Sequence, residues 1–294
     1  MPKVSVIPWI LAARPKTLPA AIAPVMIGTA MAFGDGVHHF PTALICLLAA
    51  LAIQIGTNMA NDYYDFKKGT DTADRIGPTR VTQAGLIKPA SMRRGYILAF
   101  VMAALLSIYL VQRGGRPIAI IAVLSILSGI LYTAGPYPLG YIGLGELFVL
   151  VFFGPVAVAG TYYVQSYEMN TAVVVAGLSP GLISVAILTV NNLRDISSDL
   201  KAGKRTLAVR FGRPFAYYEF LFSIILASLV PVCIYYIIED HKAILASVTV
   251  LLIAIPTIKT VLTKSDGLSL NRALASTGRL LLIYSVLFSI GWIL

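Results

Sequence analysis

Acidic residues are scarce: 13 Asp and Glu stand against 23 Lys and Arg in 294 residues. Charged side chains of both signs make up 12% of the chain and hydrophobic ones 57%, with a mean hydropathy of +0.82. A soluble domain carries roughly 25% charged residues, so this composition excludes one and indicates a polytopic membrane protein. Cysteine is nearly missing. Cys46 and Cys233 both lie inside apolar runs, where a thiol behaves as a small hydrophobe, which excludes a disulfide framework or a cysteine-based metal site. The three histidines are His38 and His39, in a short polar loop beside Asp35, and His241; all three read as solvated. No GxxxxGK[ST] sequence occurs, and "AGKR" at 202–205 is too short to stand for one, so a nucleotide-driven pump is not indicated. Basic and aromatic residues do not interleave, so the formal charge of +10 does not point to nucleic acid. No small-residue cleavage site followed by a polar mature segment trails the first apolar stretch, which is expected to be a retained span.

What the chain does contain is apolar runs of about 20 residues, the length a helix needs to cross a bilayer. Nine are predicted, at 17–33, 41–60, 95–111, 117–133, 144–163, 172–190, 215–238, 244–261 and 273–294. The fold expected is all-α, a polytopic membrane bundle of nine transmembrane helices forming one domain over 1–294. With the N-terminus cytoplasmic, 20 of the 23 Lys and Arg fall on the inner side, leaving only Arg113, Arg116 and Lys242 outside, as the positive-inside rule requires. The long inner loops, 61–94 and 191–214, direct the search for function to that face. No Asp, Glu or Lys is expected mid-span, which argues against a transporter with a midplane site.

Six of the 13 acids sit in two places on that face: Asp62, Asp65, Asp71 and Asp74 after the second run, Asp195 and Asp199 after the sixth. If the second helix continues past the membrane edge, Asn58, Asn61, Asp62 and Asp65 fall at i, i+3, i+4 and i+7, on one face. "NNLRDISSD" repeats the device with Asn191, Asn192, Asp195 and Asp199. Asp65 and Asp199 are 134 residues apart, which suggests a remote internal duplication. Ionisable groups tied to membrane spans are functional by default. Carboxylate and amide oxygens without Cys or His are hard ligands suited to Mg2+, and two facing sets of Asp repel each other unless divalent ions and a polyanion join them. A diphosphate is the natural bridge, with Arg75, Arg80, Arg194, Lys204 and Arg205 neutralising what the metal does not.

The runs "RPKTLPAAIAPVMIGTA", "GTNMANDYYDFKKGTDTADRIGPTRVTQAGLI", "YTAGPYPLGYIGLGE" and "NNLRDISSDLKAGKRTLAVRFG" resemble, in order and over nearly the whole chain, the UbiA-type intramembrane prenyltransferases. Within that family they look most like the branch that prenylates 1,4-dihydroxy-2-naphthoate in menaquinone synthesis. Two positions depart from the wider family. Gly69 stands where many members carry a third Asp, and Tyr137 where a basic residue is common.

The resemblance implies that Asp62 and Asp65 with Asn58 or Asn61, and Asp195 and Asp199 with Asn191 or Asn192, hold Mg2+ on the diphosphate of an allylic polyprenyl donor. Metal and basic groups would stabilise the leaving diphosphate, and an electron-rich ring would attack the prenyl carbon, losing CO2 and a proton in the naphthoate case. Arg14 is expected to meet the acceptor's carboxylate; its alternative role is a snorkelling anchor. Glu146, through the resemblance alone, is expected to orient a group in the acceptor site. Phe148, Phe152, Phe153, Tyr162 and Tyr163 are candidates to line a tunnel for the tail, with ordinary span packing as the commoner role. The expected location is a bacterial plasma membrane with the site facing the cytoplasm. The rivals are another acceptor, namely 4-hydroxybenzoate, homogentisate, or a haem or chlorophyll precursor, and, outside enzymes, a transporter.

Overall fold

Lipid offers backbone N–H and C=O groups no partners, so a chain this apolar must satisfy them within helices. The computed structural model describes residues 6–70, 77 and 79–294, and every regular element among them is helical. In chain order these are α1 (Ile7–Ala13), a 3-10 turn (Pro15–Thr17), α2 (Pro19–Gly34), α3 (Phe40–Lys67), α4 (Pro89–Leu131), α5 (Gly145–Phe152) and α6 (Pro155–Ser166). There follow α7 (Thr171–Ala176), α8 (Leu178–Lys201), α9 (Leu207–Ile238), a 3-10 segment (Lys242–Thr249), α10 (Val250–Thr263) and α11 (Gly267–Ile293). Among the described residues seven helices or helix pairs are long and apolar enough to cross a membrane, or eight if α1 and α2, bent by 56° between them, form one span. The protein is an integral membrane protein.

Breaks in the helices follow the residues that cause them. Arg14 adopts a left-handed φ of 52° between α1 and Pro15, and Pro19 restarts the chain as α2, so the first crossing enters at an angle. Gly115, with φ 65° and ψ −151°, leaves helical geometry in the middle of the 43-residue α4, between two predicted runs. Gly154 and Pro155 divide α5 from α6 at the point where this crossing meets the next. A side chain on Gly154 would lie 2.7 Å from the Gly177 carbonyl oxygen, and one on Gly181 would lie 2.5 Å from that of Leu150. The contact is therefore backbone on backbone, the close approach that small residues permit between membrane helices.

The largest core joins α2, α6, α8, α9 and α11, and a smaller one joins α1, α3 and α4. The α7–α8 crossing is the most buried of all, while α4 is the most exposed. Being central, α8 presents polar residues to neighbours on both its sides.

Candidate active site

The two Asp-bearing helices end in the same way. After α3, the N–H of Thr70 bonds the Asp65 carbonyl at 3.0 Å and that of Gly69 bonds Phe66 at 3.0 Å; after α8, Lys204 N–H bonds Asp199 at 2.9 Å and Gly203 bonds Leu200 at 3.1 Å. Gly69 and Gly203 have φ of 66° and 71°. Each is a Schellman cap, with the glycine in the left-handed position that a Cβ disfavours. Gly69, a departure from the wider family, is thus the capping residue that matches Gly203. The duplicated pattern extends from side chains to the turn that follows them.

The second cap carries Lys204 back toward the first helix. Its Nζ lies 3.3 Å from Asp65 Oδ2 and 3.7 Å from Asp199 Oδ1, so one ammonium touches both clusters. Asp65 is fully buried and collects three further donors. Tyr141 Oη donates to it at 2.6 Å, Arg80 Nη2 at 3.3 Å and Asn61 Nδ2 at 3.2 Å. Asn61 Oδ1 in turn accepts from Arg14 Nη2 at 2.8 Å and Arg80 Nη1 at 2.7 Å. Asn58 Nδ2 donates to the Ala13 carbonyl at 2.9 Å and to Thr17 Oγ1 at 3.0 Å, clamping the bend of the first crossing. Arg14 is held at the rim by that bend.

Asp62 does something else. Its two oxygens accept the backbone N–H groups of Val81 and Thr82, at 3.1 and 3.0 Å, which fastens the following loop and delivers Arg80 to Asp65. In the second cluster Arg194 chelates Asp195 through Nε at 2.7 Å and Nη2 at 2.6 Å, and also donates to Asn191 and Asn271. Asn192 Nδ2 donates to Glu146 Oε1 at 2.8 Å, which leaves the amide oxygen of Asn192 as the acceptor end. Arg205 enters through its backbone, N–H to the Tyr141 carbonyl at 2.7 Å, while its side chain is exposed. Arg75 and Asp71 lie outside the described residues.

Helix periodicity does not single out Tyr141, and the resemblance draws attention to Tyr137 instead; Tyr137 is 78% exposed. Tyr141 carries Lys68 Nζ 4.6 Å and Lys204 Nζ 4.7 Å from its ring centroid, both within cation–π range. Lys68 Nζ also donates to the Thr133 carbonyl at 3.0 Å. Desolvation lowers the pKa of Lys68, Asp65 opposes that shift, and Lys204 adds to it. A spacing argument within one helix has no access to a tyrosine arriving from the α4–α5 loop. Glu219 escapes it as well: it lies near the start of the predicted run 215–238 and accepts from Thr189 Oγ1 at 2.9 Å.

These groups close the polar end of a cavity of about 350 Å³. Arg14, Asn61, Arg80, Tyr141, Asp199 and Lys204 stand at that end; Asn58, Asn191, Asn192 and Asp195 also line it. The body is apolar, walled by residues such as Ile118, Ile121, Phe148, Phe152 and Phe153. Tyr162 instead donates to Asp35 at 2.6 Å, and Tyr163 packs among α3, α4 and α6 residues. An amphiphile with a polyanionic head and a hydrocarbon tail matches this lining.

The protein is thus a helical membrane protein with a charged, oxygen-rich pocket at the end of an apolar chamber. Residues 21–286 match the UbiA prenyltransferase family, and the chain belongs to it. It is 44% identical over 211 residues to the 1,4-dihydroxy-2-naphthoate octaprenyltransferase of Escherichia coli (strain K12), covering 69% of this chain and 68% of that protein. The protein of the same name from Haemophilus influenzae is 36% identical over 295 residues, covering 96% and 94%. Among solved structures, a UbiA homolog from Archaeoglobus fulgidus bound to GPP and Mg2+ has a TM-score of 0.62 at 15% identity, over 97% of this chain and 99% of that one. The chain is a UbiA-family membrane prenyltransferase whose relatives act on the naphthoate.

Proposed function

We propose that the protein transfers a polyprenyl group from an allylic polyprenyl diphosphate to 1,4-dihydroxy-2-naphthoate, releasing diphosphate and CO2, in menaquinone biosynthesis. The observation that carries this is the Lys204 ammonium, held between Asp65 and Asp199 at 3.3 and 3.7 Å where the polar end of an apolar chamber begins. Two buried carboxylates from distant parts of the chain share one positive charge there.

Magnesium suits this donor set. The chamber end offers the Asp195 and Asp199 carboxylates and the side-chain amides of Asn58, Asn61, Asn191 and Asn192, with the Asp65 carboxylate fully buried behind them; no imidazole lines it among the described residues, and the Cys46 thiol in its wall sits in an apolar cluster. Such sparse oxygen ligation fits an ion that keeps waters and shares phosphate oxygens. Asp65, Asn61 and Asn58 on one side, and Asp199, Asp195, Asn192 and Asn191 on the other, would hold it. When bound, the ion polarises the diphosphate and neutralises its growing charge. Asp62 acts one step back, through the loop it fastens.

The chain's own cations do the rest. Lys204 and Arg80, now resting on Asp65, turn to the diphosphate oxygens; Lys68 stands behind them, Arg205 is assigned to the outer rim, and Arg75, outside the described residues, is expected to add to their charge. As the C–O bond to the prenyl carbon lengthens, negative charge gathers on the leaving group, within reach of fixed cations in a low-dielectric pocket. The ring carbon bearing the carboxylate forms the new C–C bond. The carboxylate then leaves as CO2, and the electron pair of its bond returns to the ring and restores aromaticity; the acid's proton has already gone to water on ionisation. Arg14 pairs with that carboxylate before the bond forms. Glu146 orients Asn192. The apolar body keeps water from the allylic centre, where it would compete as nucleophile.

Purified protein given a polyprenyl diphosphate with naphthoate, 4-hydroxybenzoate and homogentisate in parallel is expected to yield only a prenylated naphthoquinol, and only with magnesium. Product in chelator would remove the metal, and product from another acceptor would replace the naphthoate. Tyr141→Phe keeps the ring between the two lysines and removes the 2.6 Å hydrogen bond to Asp65; a loss of about tenfold in kcat/KM is expected for one charge-assisted bond, measured by initial rates.

Nine crossings with a cytoplasmic N-terminus, forming one domain over 1–294, complete the proposal. A straight 43-residue helix is about 64 Å long, twice the ~30 Å hydrocarbon core, so the break at Gly115 supports two crossings in α4. A cysteine at 115 in a cysteine-free background is expected to react with an impermeant maleimide from outside the cell, whereas one at 201 should react only after permeabilisation. The reverse pattern would invert the topology and move the site off the cytoplasmic face of the plasma membrane.

A further inference from the structure

A second cavity, of about 460 Å³, lies between α5, α8 and α9, on the side of α8 away from the chamber. Its walls are mainly leucine and phenylalanine. Leu147, Tyr218, Phe222 and Leu226 at its edge are 55%, 61%, 56% and 49% exposed, so in a membrane it opens to lipid. Three polar side chains break the apolar lining on its inner wall, Glu146, Glu219 and Ser223.

Each carboxyl is tied back to α8 by one oxygen. Glu219 Oε2 accepts from Thr189 and Glu146 Oε1 from Asn192, and Thr189 and Asn192 are i and i+3 on that helix. Ser223, one turn beyond Glu219 on the same face of α9, is 5% exposed and lines the cleft, yet it finds no hydrogen-bond partner among the described residues. Acids inside a lipid-facing wall are expensive, and their usual meaning is a bound ligand or a path.

We propose that this cleft is a second, lipid-accessible site that binds an isoprenoid hydroquinone. The match is one of chemistry. A hydroquinone brings two hydroxyl donors to two carboxyl acceptors, with Ser223 able to give or take the remaining bond, and its hydrocarbon tail continues along the apolar edge into the bilayer. A cationic amphiphile would answer the acids but leave Ser223 facing an ammonium's apolar stem. The choice of ligand rests on the proposed reaction, whose product is of this class. The site is separate from the chamber, but Asn192, which lines the chamber, donates its Nδ2 to Glu146 in the cleft wall. Occupancy of the cleft therefore reaches the chamber through one hydrogen bond.

The test uses the full chain in nanodiscs, with the chamber filled by geranyl S-thiolodiphosphate and Mg2+. The probe is a tritiated farnesyl-1,4-naphthohydroquinone kept reduced with dithionite. About one equivalent is expected to remain bound with the chamber filled. Ser223→Phe and Leu226→Trp, which fill the cleft, are each expected to weaken that binding by at least about tenfold, equivalent to about 1.4 kcal/mol. The oxidised quinone, which accepts but does not donate, is expected to bind at least about tenfold more weakly. A benzophenone-bearing analogue should crosslink within 215–226 in the unsubstituted protein, a readout independent of variant folding.

Binding that vanishes when the chamber is filled, quinone bound as well as hydroquinone, or crosslinks confined to chamber residues would each overturn the inference. Uptake of the thiolodiphosphate by both variants reports that they are folded. If naphthoate is not prenylated but the filled protein still binds the hydroquinone at 215–226, the reaction assignment falls and the cleft stands.

Discussion

Asp65→Asn is expected to lower kcat/KM by at least about a thousandfold, the scale seen when a central electrostatic group is removed from a preorganised site. The side chain is fully buried, and it accepts from Tyr141, Arg80, Asn61 and Lys204. Asparagine keeps the size but presents an NH2 to at least one of these donors, and it removes the charge that holds Arg80 and Lys204 together. The cations then repel each other in the absence of substrate, and the oxygen assigned to magnesium in the proposed reaction loses its charge. Initial rates across a magnesium titration check this, with membrane insertion as the control. Rates within tenfold of the unsubstituted protein would take Asp65 out of the site.

Asp62→Ala is expected to cost about a hundredfold by a different route. Asp62 is 2% exposed and spends both oxygens on the backbone N–H groups of Val81 and Thr82. Removing it strands two buried donors, at about 1–3 kcal/mol each, so the loop should release and withdraw Arg80 from Asp65. Limited proteolysis between α3 and α4 should accelerate in this variant and stay unchanged in Asp65→Asn. Equal proteolysis in the two would show that Asp62 acts directly on substrate or metal, as the i+4 spacing by itself suggests.

Those two aspartates show how far the sequence can be read. Periodicity places Asn58, Asn61, Asp62 and Asp65 on one side of α3, and it locates the matching group on α8, because a helix fixes the angles between its own residues. The apolar runs are equally legible, since lipid imposes their length. What a residue's oxygens meet is decided by chains arriving from elsewhere. Residues three apart on a helix point about 60° apart, enough for Asp62 to turn to the 80–82 backbone while Asp65 turns to Lys204. Tyr141, Lys68 and the Glu219–Thr189 pair are invisible to periodicity for the same reason, since their partners lie 76, 73 and 30 residues away along the chain. The glycines, by contrast, are a local signal. Gly69 and Gly203 each follow an Asp by four residues, a spacing that by itself marks a pair of matching helix ends.

Under the proposed reaction, the chamber's size bears on which donors can be used. At about 350 Å³ it lies near the lower limit of the ~300–1,000 Å³ typical of small-molecule pockets, room for a headgroup, a bicyclic ring and the first isoprene units. The far end of a long donor must trail out among the acyl chains, where no side chain can gauge it. Selection of tail length then belongs to whichever synthase fills the bilayer with donor, and strains differing in that synthase should yield differently tailed quinones from this same polypeptide.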